Sequence, residues 1–169
     1  MLPSEVVANY FIQKSFNEGI PLDQMKLLKL VYIAHGWHCG YFHSPLINDA
    51  VQAWRYGPVI PDLYRKVRHY GRSVIDAPVG EYPPLQAYSL PDQHTISLLD
   101  HVWDSYKNMS GLQLSALTHQ QGTPWHEQWQ KSGGNTYGGA IIPNNLIEQH
   151  YRQKILEQSA QARGTADAT

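Results

Sequence analysis

Apolar side chains recur at helical spacing over most of the sequence. The first such segment begins at Ser4, a good N-cap residue, and ends near Gly19. A second begins after Asp23 and runs to about His38, where Gly40 offers a left-handed stop. Apolar and aromatic residues cover nearly the whole circumference of this second segment. It is therefore predicted to be the central, mostly buried helix.

A short β element is predicted after the central helix. Residues 50–56 alternate loosely between apolar and polar and are rich in large side chains, which favours a strand. Gly57 and Pro58 are expected to break this strand, because a residue before proline is pushed out of the helical region and proline lacks an N–H donor. Residues 73–75 are expected to form a second small strand.

Capping residues and prolines mark the start of further helices, at Pro61, Pro91, Ser110, Thr123 and Asn145. Ser110 and Gln113 have the spacing of a capping box. The whole pattern predicts a mainly α fold, a single compact helical domain of about six or seven helices with one short hairpin or strand pair. This domain is expected to span residues 1–158. Residues 159–169 are small and polar, and we expect them to form a disordered tail.

Charge and composition restrict the function. Among 169 residues, 13 Lys and Arg oppose 14 Asp and Glu, so the formal net charge is −1. No overall positive field attracts a polyanion, and nucleic acid is not the expected partner. No apolar run reaches the length of a membrane span, and the N-terminus lacks the pattern of a signal peptide. Cys39 has no second cysteine to pair with. These features predict a cytoplasmic protein that does not enter a membrane.

Histidines suggest metal chemistry, which their spacing does not support. Four candidate ligands lie in one short segment, at His35, His38, Cys39 and His43. They match no standard zinc pattern, and no local signature of an activated serine or cysteine accompanies them. We therefore predict no catalytic residue, no metal ligand and no cofactor. The alternative hypothesis is a metal-assisted hydrolase built on His119 and the neighbouring histidines His126 and His150.

Basic residues are concentrated in one short run, at Arg65, Lys66, Arg68 and Arg72. One interpretation of the run is a solvated helix face, because cations in the second half of a helix interact favourably with the helix dipole. The other interpretation is a contact with a protein partner. Binding of DNA through 65–72 is a weaker alternative, because the net charge is balanced.

Aromatic and basic side chains surround the Gly57-Pro58 turn. Residues such as these on a rigid turn are typical of the energetic centre of a protein interface. For Trp54 two interpretations remain open, since its ring either faces a partner or pins the turn to the central helix. Arg55 and Tyr56 are expected to be exposed.

Three separated segments together resemble one protein family. They are LLKLVYIAHGW (27–37), AWRYGPVIPDLY (53–64) and LTHQQGTPW (117–125), in that order. The sequence resembles the Panacea domain family, also described as SocA-like or GepA-like phage-associated proteins. Gln52 and Gln121 depart from its pattern, because acidic residues are frequent at these positions. The family signature falls on Leu27, Tyr32, Trp37, Thr118, His119, Pro124 and Trp125.

The resemblance implies an antitoxin, encoded by a bacterium or a prophage, that neutralises a cognate toxin by direct protein contact. It also implies a mostly helical domain with a small β element and no catalytic residues. One relative hands its toxin to a protease, so an AAA+ protease is the second expected partner. The expected partner-binding residues are Lys29, Trp54, Arg55, Tyr56, Gly57, Pro58, Tyr64, Arg65 and Arg68.

Overall fold

The computed structural model describes residues 1–83, 92–134 and 139–167, and within these ranges the fold is mainly α. The helices are α1 (Ser4–Glu18), α2 (Gln24–Phe42), α3 (Pro61–Val67), α4 (Gln93–Tyr106), α5 (Gly111–Thr118), α6 (Pro124–Lys131) and α7 (Asn144–Asp167). The strands are β1 (Gln52–Trp54), β2 (Gly57–Val59) and β3 (Ala140–Ile141), and a 3-10 turn at Arg68–Tyr70 follows α3. The predicted fold class is confirmed.

The second helix is the centre of the fold, as its pattern predicts. Leu27, Leu30, Val31 and Ala34 have no exposed surface. Helices α1, α3, α4, α5 and α7 and strand β2 pack around α2. Because α2 has neighbours on every side, it needs apolar residues around its circumference.

The two ends of α2 agree with the sequence to different degrees. The Asp23 side chain accepts a hydrogen bond of 2.8 Å from the Lys26 N–H, which confirms the predicted cap. At the other end the helix continues past Gly40 and stops at His43, whose φ is 53°. The prediction of a stop at Gly40 is wrong for a packing reason. A Cβ at position 40 would lie 2.9 Å from the Cβ of Tyr151, so this glycine allows α7 to approach.

The start of α1 also differs from the prediction. Ser4 is the first helical residue and makes no capping bond, because Pro3 occupies the cap position. Instead, the Ser4 N–H donates to Asp49 Oδ2 at 2.7 Å. A distant carboxylate therefore takes the role that the sequence assigned to a local side chain.

Later helix starts follow the predicted signals closely. Ser110 and Gln113 form the capping box, and Thr123 caps α6. Asp92 caps α4, while the predicted start at Pro91 lies outside the described residues. The last helix begins at Asn144, one residue before the predicted cap at Asn145.

The β element is a three-stranded antiparallel sheet in the order β2-β1-β3. Gly57 and Pro58 were expected to break the strand, but they belong to β2 and pair with β1. Gly57 makes this possible with a φ of 112°, which other residues rarely adopt. Residues 73–75 are not a strand. Ile75 is buried and its N–H donates to the Leu22 carbonyl at 2.8 Å, so it anchors a loop.

The last helix extends to Asp167, whereas the sequence predicts a disordered tail from residue 159. Side chains from Glu157 to Asp167 are exposed, so tertiary packing does not hold this part of α7. Alanine, glutamine and arginine favour the helix here through their intrinsic propensity. Among the described residues, no helix is long and apolar enough to cross a membrane.

Candidate protein-binding surface

Side chains from three helices bind the backbone of the β1–β2 hairpin. From α6, the Trp125 Nε1–H donates to the Trp54 carbonyl at 2.6 Å. From α5, the Ser115 hydroxyl donates to the Tyr56 carbonyl at 2.6 Å. The two carbonyls are two residues apart, on either side of Arg55. The tip is therefore tied to two helices at once.

The third bond comes from the central helix. Lys29 Nζ donates to the Pro58 carbonyl at 2.9 Å. The lysine passes under Gly57, where a Cβ would lie 3.2 Å from Lys29 Cε. Alternate carbonyls of the hairpin thus each accept one side-chain hydrogen bond. We call Lys29, Ser115 and Trp125 the hairpin clamp.

Lys29 carries its charge in an unusual environment. Its side chain is 2% exposed, and no carboxylate among the described residues forms an ion pair with it. Burial lowers the pKa of its ammonium group to about 8. A buried cation without a counter-ion destabilises a protein unless polar groups solvate it. The Pro58 carbonyl is such a polar group, because it accepts a hydrogen bond from the Lys29 ammonium. The favourable burial of this charge therefore depends on the position of the hairpin.

Trp54 pins the hairpin and is only partly exposed. Its ring meets the Tyr64 ring edge-on, with 4.9 Å between centroids. Its Nε1–H donates to Gln52 Oε1 at 2.9 Å. A Cβ on Gly139 would lie 2.6 Å from the Trp54 ring, so the backbone of 139 lies directly against the indole. These contacts favour the pinning interpretation of Trp54.

His119 and Trp125 form a packed group beside the hairpin. The His119 ring meets the Trp125 ring edge-on at 5.3 Å, and Trp129 stacks on Trp125 at 5.2 Å. His119 Nδ1 contacts the Ser115 carbonyl. Because a carbonyl only accepts hydrogen bonds, this nitrogen carries the hydrogen. Thr118 donates its hydroxyl to carbonyls of its own helix.

The remaining signature residues belong to the core. Leu27 and Tyr32 are buried, and Trp37 is 8% exposed with its Nε1–H directed at the Tyr106 hydroxyl at 3.2 Å. Pro124 is buried in the first turn of α6. Among the signature residues, Trp125 bonds the hairpin directly, whereas Leu27, Tyr32, Trp37 and Pro124 pack in the core.

The tip is the most exposed part of the hairpin. Tyr56 is 61% exposed, Arg55 is exposed, and the Arg55 guanidinium lies 5.6 Å from the centroid of the Tyr56 ring. Their predicted exposure is confirmed. Lys29, Gly57 and Pro58 are buried instead, so these residues lie beneath the tip and present no surface to a partner.

The basic run divides into paired and unpaired cations. Arg65 pairs with Asp62, and Lys66 pairs with the buried Glu5 at 2.6 Å. Arg68 is exposed, and no carboxylate within the described ranges forms an ion pair with it. Two of the cations therefore already have an intramolecular carboxylate partner, Arg65 at the exposed surface and Lys66 against the buried Glu5.

The histidines of α2 serve packing. The Ile47 N–H points at His35 Nδ1 at 3.5 Å, so His35 Nε2 carries the hydrogen toward Asn144 Oδ1 at 3.0 Å. Burial lowers the pKa of His35 to about 4 and raises the pKa of the Cys39 thiol to about 12. His38 contacts the Ser44 carbonyl at 2.7 Å.

The metal-assisted hydrolase receives no support from the geometry. Over 1–83, 92–134 and 139–167, no group of three or more His, Cys, Asp or Glu side chains is arranged to hold a metal ion. His119, on which the alternative depends, packs against Trp125 and binds the carbonyl of residue 115.

Sequence reasoning missed two residues that shape this part of the fold. Ser115 bonds a carbonyl 59 positions away along the chain, and Asp49 caps a helix 45 positions away. No local spacing signals either contact. Covariation among related sequences is the kind of signal that could have found them.

Comparisons with known proteins identify the family of the chain. The family described as antitoxin SocA-like, Panacea domain, matches residues 27–126, which include the whole hairpin clamp. The chain is 30% identical to "Antitoxin SocA" of Caulobacter vibrioides (strain NA1000 / CB15N) over 158 residues, which cover 90% of this chain and 84% of that protein. No solved structure matches the chain. The family match covers more than half of the chain, and the chain therefore belongs to the SocA-like antitoxin family with the Panacea domain.

Proposed function

We propose that this protein is the antitoxin of a toxin-antitoxin system and that it neutralises its cognate toxin by direct protein contact. The centre of the contact is the hairpin tip, Arg55 and Tyr56. We also propose that binding is its whole task and that it catalyses no reaction. Family membership supports the antitoxin role, and the tip geometry supports the place of contact.

The observation that carries the proposal is the clamped hairpin. An exposed arginine and tyrosine sit at a tip whose backbone three side chains hold from below. Arginine and tyrosine are enriched among the residues that dominate binding energy. A fixed backbone loses little conformational entropy on association, which favours tight binding.

The buried members of the predicted surface have a different part in this proposal. Lys29, Gly57 and Pro58 set the shape of the tip from below. Trp54 and Tyr64 hold its flank by ring contact. Arg68 extends the surface beyond Tyr64 along the chain, and Arg65 adds a charge already paired with Asp62.

The fate of the bound toxin is a finer part of the proposal. We propose that the complex forms in the cytoplasm and that the antitoxin acts as an adaptor that delivers the toxin to an AAA+ protease. The half-life of the toxin in cells measures this step. Delivery predicts a shorter half-life when the antitoxin is present, and simple blocking predicts no change.

Co-expression tests the proposal. The small gene next to the one for this chain is expressed in a host cell alone, with the wild-type chain, and with an Arg55→Ala/Tyr56→Ala variant. We expect growth arrest alone, rescue by the wild type and no rescue by the double variant. The Arg163→Ala variant, changed in the exposed end of α7, is the matched control and should rescue fully.

Two outcomes would contradict the proposal. If the wild-type chain rescues cells from no neighbouring gene product, the antitoxin role is wrong. Full rescue by the Arg55→Ala/Tyr56→Ala variant would leave the role intact and exclude the hairpin tip.

A further inference from the structure

The hairpin tip lies against α5, a helix that carries an exposed apolar side chain. The Ser115 hydroxyl binds the Tyr56 carbonyl at 2.6 Å, so the tip lies against this helix. Leu112 is one turn before the buried Ser115 on α5 and is 75% exposed. Tyr56 and Leu112 are therefore two large exposed apolar side chains near the contact between the tip and α5.

The charge beside these apolar groups is unbalanced. Within the part of the chain that the structure describes, no carboxylate forms an ion pair with Arg55, whose guanidinium lies near the Tyr56 ring. Arg65 and Lys66, by contrast, have partners in Asp62 and Glu5. The tip therefore combines an unpaired guanidinium with exposed apolar area.

A protein fits this surface better than a nucleic acid. A phosphate backbone needs a series of free cations, and the basic run after Tyr64 is interrupted by internal ion pairs. The net charge of −1 opposes binding of a long polyanion. An exposed leucine gains nothing from phosphate but gains from an apolar pocket.

We propose that Arg55, Tyr56 and Leu112 form one docking surface for a protein that presents a carboxylate at the rim of an apolar pocket. The carboxylate pairs with the Arg55 guanidinium through two parallel hydrogen bonds, and Tyr56 and Leu112 fill the pocket. This inference rests on the proposed function, since the partner is the toxin.

Binding of the purified product of the neighbouring gene tests the charge. Its affinity for the wild-type chain, Arg55→Glu and the control Arg163→Glu is measured by titration calorimetry at low and high salt. We expect Arg55→Glu to weaken binding at least about tenfold at low salt, because like charges then meet at the rim. The control should stay within about twofold, and salt should weaken the wild type more than Arg55→Glu.

The contribution of the apolar side chains to binding is tested with a matched pair of variants. Leu112→Ser and Leu156→Ser both replace an exposed leucine on a helix, but Leu156 lies on α7 and is 54% exposed. We expect Leu112→Ser to weaken binding at least about tenfold and Leu156→Ser to have little effect. Circular dichroism and melting temperature confirm that each variant is folded.

The outcomes separate the two proposals. If the wild-type chain does not bind the neighbouring product, the proposed function itself fails. If the wild type binds and Arg55→Glu and Leu112→Ser bind equally well, the docking surface is wrong while the antitoxin role stands. A DNA duplex from upstream of the two genes serves as the second probe. If Arg55→Glu loses binding to this duplex but keeps its affinity for the protein, a nucleic-acid surface replaces the one proposed here.

Discussion

The Tyr151 ring of α7 lies directly on Gly36 of α2. A Cβ at position 36 would lie 2.1 Å from Tyr151 Cε2, far inside van der Waals contact. Tyr151 also meets the rings of Tyr32 and Trp37 edge-on, at 6.4 Å and 5.1 Å between centroids. The glycine therefore sets the distance between α2 and α7.

Gly36→Ala is expected to destabilise the fold. The added methyl group must push Tyr151 out of its place, and overpacking of this kind costs about 1 to 3 kcal/mol. Gly164→Ala is the matched control, because Gly164 is also helical and a Cβ there would meet no other atom within 4 Å. It should leave the free energy of unfolding unchanged or raise it by up to about 1 kcal/mol. Urea unfolding measures both, and equal stability of the two variants would contradict the close approach.

Ser115→Ala tests whether the clamp presets the tip for binding. The variant removes one hydroxyl and leaves the Tyr56 carbonyl without that donor, which costs about 1 to 2 kcal/mol of stability. We expect a weaker affinity for the toxin in a protein that remains folded, and recovery in Ser115→Thr. Ser4→Ala is the control, since the buried Ser4 hydroxyl has no hydrogen-bond partner among the described residues. If calorimetry gives Ser115→Ala the wild-type affinity, the tip does not need this bond.

His35 should contribute to a loss of stability in mild acid. Burial lowers its pKa to about 4, against an ordinary value of 6.5, so the unfolded chain binds the proton more tightly. The contribution of His35 to the free energy of unfolding therefore decreases as the pH falls from 6.5 to 4, by about 3 kcal/mol at most. Chemical denaturation of the wild type and His35→Gln across this range isolates the effect. Parallel curves for the two proteins would exclude His35 as the cause.

Lys29 should make the free energy of unfolding depend on pH in the alkaline range. Its folded pKa of about 8 lies below the ordinary value of 10.5, so the unfolded chain again binds more protons between these values. The free energy of unfolding of the wild type should rise from pH 8 to 10.5 relative to Lys29→Met. The difference between the two proteins, measured by urea unfolding, cancels the other groups that titrate there. A constant difference would show that Lys29 is not buried as a cation.

Much of the fold could be predicted because its signals are local. The Asp23 cap, the capping box at Ser110 and the apolar circumference of α2 each depend on residues close in sequence. The errors have distant causes. The helix does not stop at Gly40, because Tyr151 occupies the space beside this glycine. At the start of α1 the acceptor is the distant Asp49 rather than the Ser4 side chain.

In the candidate surface, too, some features follow from local sequence and others depend on distant residues. Exposure of Arg55 and Tyr56 follows from their place at a turn, which the Gly57-Pro58 dipeptide marks. Burial of Lys29 does not follow from any local pattern, because a lysine on a helix is normally solvated. Its environment depends on a hairpin carbonyl 29 residues away. Resemblance to a family identified the position, and only the fold shows what the side chain does there.

Direct binding of the purified toxin is the measurement that tests the central claim. The product of the neighbouring gene is titrated with the wild-type chain, with Arg55→Ala/Tyr56→Ala and with Arg163→Ala, all folded by circular dichroism. The account predicts a stable complex with the wild type and with Arg163→Ala, and an affinity at least about tenfold weaker for the double variant. An unchanged affinity of the double variant, or no complex with the wild type, would contradict it.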